Sequence, residues 1–264
     1  MKSLFFWSRR QGKNLFGDEN DVIRELLRKY NVRAILTRTK NRLGRRIAEN
    51  TDFLDTVLTG IERQRLPDNV GLSAVPIVAA YTLISWILDS ETECNGFGFP
   101  FDQSYLVFYQ RLQEAGRRFH QLFRIQLQGD WRENKVYSKI SCDLHDVLND
   151  SSLHKAAQKM EQKVAMFNRL RTAMRITLPE NKRGLNDNGE LPSSMKTIQK
   201  EVGRFTAWLL KSKEYSGDKN YQKLVEQLDT YSDKLFADPI AVQTAAGKML
   251  VQPQRTNNIL EQFF

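Results

Sequence analysis

Cysteine and histidine are scarce in this chain. Only two cysteines occur, Cys94 and Cys142, in unrelated contexts and without a Cys-x-x-Cys pair, which argues against a disulfide framework and a structural zinc site. The three histidines, His120, His145 and His154, lie on amphipathic stretches at no metal-ligand spacing. None reads as a ligand or a catalytic base. Long hydrophobic runs are missing as well. The start, MKSLFFWSRR, moves from Leu4–Trp7 straight into arginines and falls far short of a secretory h-region. Val70 to Leu88 carries no formal charge, but Gly71, Ser73, Pro76, Thr82 and Ser85 dilute it. A buried core helix from about Pro76 is expected there rather than a membrane span. No internal repeat or low-complexity tract appears. The expected compartment is the cytoplasm, with no membrane partner.

What the chain has in excess is positive charge. Against 31 Asp and Glu stand 40 Lys and Arg, a formal net charge of +9, which favours polyanionic partners, nucleic acid being the commonest. The basic runs Arg38 to Arg46 and Lys196 to Lys213 lie on expected helices, where a solvated face is the competing explanation. Fifteen Phe, 8 Tyr and 4 Trp within 41% hydrophobic residues supply material for a core. A length of 264 residues admits one large unit or two small ones.

Helical periodicity dominates. Val22, Ile23, Leu26, Leu27 and Tyr30 share one face of a helix that Asp18 is placed to cap and Asn31 to end. Ile35, Leu36, Leu43 and Ile47 stripe the next helix. After the breaker GFGFPFDQ, Tyr105, Phe108, Leu112, Ala115, Phe119 and Leu122 alternate steps of three and four, the spacing of a packed seam. Arg117 and Arg118 flank that seam, within reach of a phosphate backbone or as a solvated face. Val136, Ile140, Leu144 and Val147 mark a further helix, and Ala157, Met160, Val164, Phe167 and Met174 another. Asp143 and Asp146 share a face without a third acidic partner and read as surface residues. Pro179 to Ser194 is dense in turn formers. Two more helices follow, one striped by Ile198, Val202, Phe205 and Leu209, the other by Tyr221, Leu224, Leu228, Tyr231 and Leu235. Only then does the period change: Ile240 to Thr244 and Lys248 to Gln252 flank Ala-Ala-Gly as a small hairpin.

The last stretch, QPQRTNNILEQFF, places Thr256 as the N-cap of a short helix carrying Asn257, Asn258 and Glu261. It resembles the Thr-Asn-Asn-x-x-Glu turn of Mutator-like and related bacterial transposases. GFGFPFDQSYLVFYQRL, FNRLRTAMRITLPENKRGLNDNGE and YQKLVEQLDTYSDKLFADPI, in this order, are similar to the long helical region of one bacterial DDE transposase family. The resemblance spans from about Gln11 to the end.

The resemblance implies an RNase H-like core in which three carboxylates hold two Mg²⁺ or Mn²⁺ ions at the scissile phosphate. One activates the attacking oxygen and the other stabilises the leaving one. Glu261 would be the third carboxylate, catalytic and metal-ligating, and Arg255, Asn257, Asn258, Arg117 and Arg118 would contact DNA. The first two aspartates are expected on strands ahead of the matched region, and LFFWSRRQGK stands where the family usually has Cys-x-Phe-His. The chain is thus expected to be an inactive piece of such an enzyme. Its expected fold is mainly α, a multi-helix insertion domain with a short β-hairpin and a terminal helix turn left from the RNase H-like core. The expected organisation is a remnant over 1–16, helical blocks over 17–178 and 195–238 separated by an exposed loop over 179–194, and the hairpin with the glutamate-bearing helix over 239–264. A second reading is a non-catalytic helical DNA-binding or oligomerisation module that self-associates through the seam from Tyr105 to Leu122. In a polypeptide restored with the two upstream aspartates, Glu261→Gln is expected to abolish strand transfer. Unchanged strand-transfer activity would remove Glu261 from the metal site.

Overall fold

Most of the apolar stripes read from the sequence become buried faces of helices, although Val22 and Tyr231 are exposed. The computed structural model describes residues 4–48, 75–91, 98–126, 131–176, 195–236, 240–244 and 247–251, and these are mainly helical. In chain order the helices are α1 (Leu4–Lys29), α2 (Val32–Ala48), α3 (Val75–Leu88), α4 (Ser104–Gln126), α5 (Trp131–Leu148), α6 (Ser151–Ala173), α7 (Met195–Lys211), the short α8 (Lys213–Gly217) and α9 (Lys219–Leu235). Two strands follow, β1 (Ile240–Thr244) and β2 (Gly247–Val251), paired antiparallel from Ile240 opposite Val251 to Thr244 opposite Gly247.

By contacts the chain divides into two compact units, each assembled from separated stretches of sequence. One comprises Met1–Asp18, Phe99–Phe101 and Glu161–Phe264, and the other Glu19–Gly98 and Asp102–Met160.

The first unit is organised by aromatic side chains. Phe16 breaks the helical geometry of α1 (φ −139°, ψ 19°) and is fully buried, meeting Phe99 and Phe167 edge-on at ring distances of 5.4 and 5.5 Å. Phe101 lies 5.9 Å from Phe167, and the buried Arg171 guanidinium stacks over Phe101 at 4.9 Å. Edge-to-face pairs of this kind add to the burial of the rings themselves. Gly12 makes the approach possible, because a Cβ there would overlap the Pro100 ring and come within 2.9 Å of Phe167 Cζ. Ile198, Val202, Phe205 and Leu209 of α7 and Tyr221, Leu224 and Leu228 of α9 are buried in the same unit. Asp218 caps α9 by accepting from the Asn220 amide at 2.8 Å, and its other oxygen lies 3.7 Å from Lys163 Nζ.

In the second unit α3 is the apolar helix expected from about Pro76. Val78, Ala80, Ile84 and Ile87 are fully buried, and its 14 residues reach only about 21 Å. No helix among the described residues is long and apolar enough to cross a membrane. The α4 seam is core as well: Leu106, Phe108, Tyr109, Leu112, Ala115 and Phe119 are all buried within this unit. Of the seam residues, Tyr105 is half-buried and the side chain of Leu122 lies outside those described.

Two local expectations meet different outcomes. Asn31 ends α1 in the left-handed region (φ 51°), with its amide donating to the Arg28 carbonyl at 2.9 Å; asparagine tolerates that conformation better than most residues. Asp18, by contrast, lies exposed inside α1 and does not begin it. Helical geometry breaks at Phe16, so Asp18 falls in the first turn of the second stretch of α1 and not at its cap.

Gly12→Ala should destabilise the chain by about 1–3 kcal/mol, the range of an overpacked core, read as a lower denaturation midpoint with an unchanged slope.

Candidate nucleic-acid interface

The helix α2 is built of one sign of charge. Its sequence, VRAILTRTKNRLGRRIA, holds Arg33, Arg38, Lys40, Arg42, Arg45 and Arg46 and no acidic residue. The buried positions Val32, Leu36, Thr39, Leu43 and Ile47 recur every three or four residues, which is the period of one helix face. That stripe fixes the remaining directions. Arg33, Arg38 and Arg45 are exposed, while Lys40, Arg42 and Arg46 flank the buried face half-exposed. Arg38 and Arg45 lie seven residues apart, two turns and about 10 Å along the axis.

Helix stability alone explains only part of this pattern. Arg45 and Arg46 in the last turn complement the negative end of the helix dipole, but Arg33 lies in the first turn, where a cation is disfavoured. The like-charged pairs Arg38/Arg42 and Arg42/Arg46 each oppose helix formation by about 0.2–0.5 kcal/mol. Lys40 lies over the Tyr81 ring at 5.7 Å, and Arg38 Nε donates to the Ala34 carbonyl at 3.2 Å. Arg45 has no ion-pair partner among the described residues. A polyanion laid along the outer face would offset this repulsion.

The start of α2 is positioned by the Asn31 turn and by a link to the start of α6. Asp150 accepts from the Ser152 and Leu153 amides at 2.8 and 2.9 Å, capping α6, and its second oxygen accepts from the Tyr30 hydroxyl at 2.7 Å. The Leu153 amide, then the Tyr30 hydroxyl and the Ser152 amide, with Lys29 nearby, hold the Asp150 carboxyl below its ordinary value. The hydrogen bond to the Asp150 carboxylate pushes the Tyr30 phenol up, aided by its partial desolvation and the charges of Asp150 and Asp146.

The residues singled out in the sequence are spread widely. Arg117 and Arg118 lie exposed on α4, and both reach the same carboxylate: Arg117 Nη2 to Glu114 Oε2 at 2.8 Å and Arg118 Nε to Glu114 Oε1 at 2.7 Å. Their charge is partly answered within their own helix. Arg117 also borders an open concavity of about 550 Å³ with Ser141, His145 and His154. Glu261, Arg255, Asn257 and Asn258 lie outside the described residues. Asp143 and Asp146 are exposed, and among the described residues no group of three His, Cys, Asp or Glu side chains could hold a metal. Sequence reasoning passed over Arg24, Arg28 and Arg33, although the lack of any acid from Val32 to Ala48 was a visible signal.

Comparison with protein-family models, curated proteins and solved structures finds no match to this chain.

The Tyr30–Asp150 link gives a pH dependence of definite sign. Asp150 has a depressed folded pKa, so its contribution is present above the ordinary carboxylate range and lost as pH falls through the folded value. Tyr30 has a raised one, so its contribution is lost only as pH rises through the phenol range. Asp150→Ala should cost about 1 kcal/mol near neutrality through loss of the cap, and the gap to the parent chain should close in acid. A gap independent of pH in urea titrations would count against the linkage.

Proposed function

We propose that this chain is a DNA-binding polypeptide related to DDE transposases, and that α2 lays its outward arginines along the phosphate backbone of transposon-end DNA. The observation that carries the reading is the one-signed helix: its apolar stripe is buried, its opposite face offers Arg38 and Arg45, and its sequence has no acid to neutralise them. The transposase relationship is supported by the ordered similarity of three helical segments and by the Thr-Asn-Asn-x-x-Glu turn that ends in Glu261. Guanidinium groups meeting phosphates fix position without reading bases, so the binding is non-specific and salt-dependent.

In the intact family, bound Mg²⁺ or Mn²⁺ supplies strand cleavage and transfer. In this chain Glu261 is the carboxylate assigned to that site by resemblance. The function proposed for the described residues is DNA binding, with the helical domain derived from a transposase and the hairpin belonging to its RNase H-like core. A pure oligomerisation role is disfavoured because the α4 seam is buried within its own unit.

Duplex DNA titrated at several salt concentrations tests this reading. The parent chain should show a log–log salt slope that falls by about 0.9 for each arginine removed in Arg38→Gln and Arg45→Gln, both at exposed positions that leave the fold intact. Absent or salt-insensitive binding by the parent chain would sink the proposal.

A further inference from the structure

We infer that the concavity in which Arg24, Arg28 and Arg33 meet Tyr105 and Phe108 is a phosphate-binding site. Resting on the DNA-binding reading above, its occupant is a phosphodiester of the DNA backbone. The concavity is open, holds about 340 Å³, and is lined by no carboxylate.

The site follows from the turn at Asn31. Arg24 and Arg28 are four residues apart and share a face of α1. The left-handed Asn31 separates α1 from α2, and Arg33, in the first turn of α2, borders the same space. The floor is apolar: Leu27, Val32 and Phe108 are all buried. Charges beside such a floor are less screened than charges surrounded by water, so an anion is held more firmly there than on an open helix face. The Arg33 guanidinium lies over the Phe108 ring at 5.7 Å, which restricts its orientation before any ligand arrives.

Pairing within the chain leaves the charge of Arg24 and Arg28 largely available. Arg24 contacts Asp21 at 3.1 Å and Glu25 at 3.4 Å, but both carboxylates are 59% exposed and outside the lining. Pairs of that kind are worth little and exchange readily. Arg28 has no ion-pair partner among the described residues. A cation at the end of α1 is favoured by the helix dipole, which accounts for Arg28 but not for Arg33 at the opposite kind of helix end. Three guanidinium forks around one space match the several acceptor oxygens of a phosphate better than the two of a carboxylate.

The test reads the arginine Nε–Hε resonances of the full chain by NMR, first with inorganic phosphate and then with a short duplex. The expected result is that phosphate shifts Arg24, Arg28 and Arg33 together and that the duplex shifts the same signals. Arg28→Gln should abolish the joint phosphate shifts of Arg24 and Arg33 and lower the DNA salt slope by about 0.9, whereas Arg204→Gln, removing a charge paired to Glu201, should leave the phosphate shifts unchanged. No shift with either probe overturns the site. If the duplex binds through Arg38 and Arg45 while these three signals stay still, the site fails and the DNA-binding reading survives. If inorganic phosphate shifts them and the duplex does not, the site stands and its occupant is a free phosphate, which overturns the backbone assignment.

Discussion

The burial of one face of α2 is the constraint on which the functional reading depends. Val32, Leu36, Thr39, Leu43 and Ile47 must leave water together, and at 3.6 residues per turn that requirement leaves no freedom in where the remaining side chains point. Arg38 and Arg45 face solvent because Leu36 and Leu43 do not. The same packing holds Arg38, Arg42 and Arg46 at successive turns, about 6 Å apart along the axis and within the roughly 8 Å screening length of physiological salt. The hydrophobic stripe thus supplies the energy that keeps mutually repelling charges in one array.

Aromatic packing plays the corresponding part in the other unit. Phe16 interrupts α1 where it meets Phe99 and Phe167, and Gly12 leaves room for Pro100 one turn earlier. A three-residue piece, Phe99–Phe101, is thereby joined to a helix of the N-terminal stretch and to the chain from Glu161 onward. Such an assembly rests on contacts between residues far apart in sequence, and no local signal announces them.

Much of the helical architecture was legible in the sequence, for a physical reason. The α4 stripe and the uncharged α3 stretch are periodic patterns whose burial depends on neighbouring residues of the same helix, and both are buried as such. Asp18 marked the helical restart after Phe16 to within two residues, but it lies in the first turn and not at the cap. Arg117 and Arg118 looked free in the sequence, yet the i,i+3 and i,i+4 spacing to Glu114 lets one carboxylate engage both.

By itself the sequence determined the mainly helical class, the excess of positive charge and the one-signed composition of α2, since these follow from residue identity and spacing alone. Only the tertiary structure decided that the α4 seam is spent within the chain, and that Arg24 and Arg28 share a concavity with Arg33 and Tyr105. Both outcomes depend on how separate helices meet. A left-handed residue at position 31 and an apolar floor drawn from α1, α2 and α4 bring three arginines to one space, a convergence that no single helical period encodes.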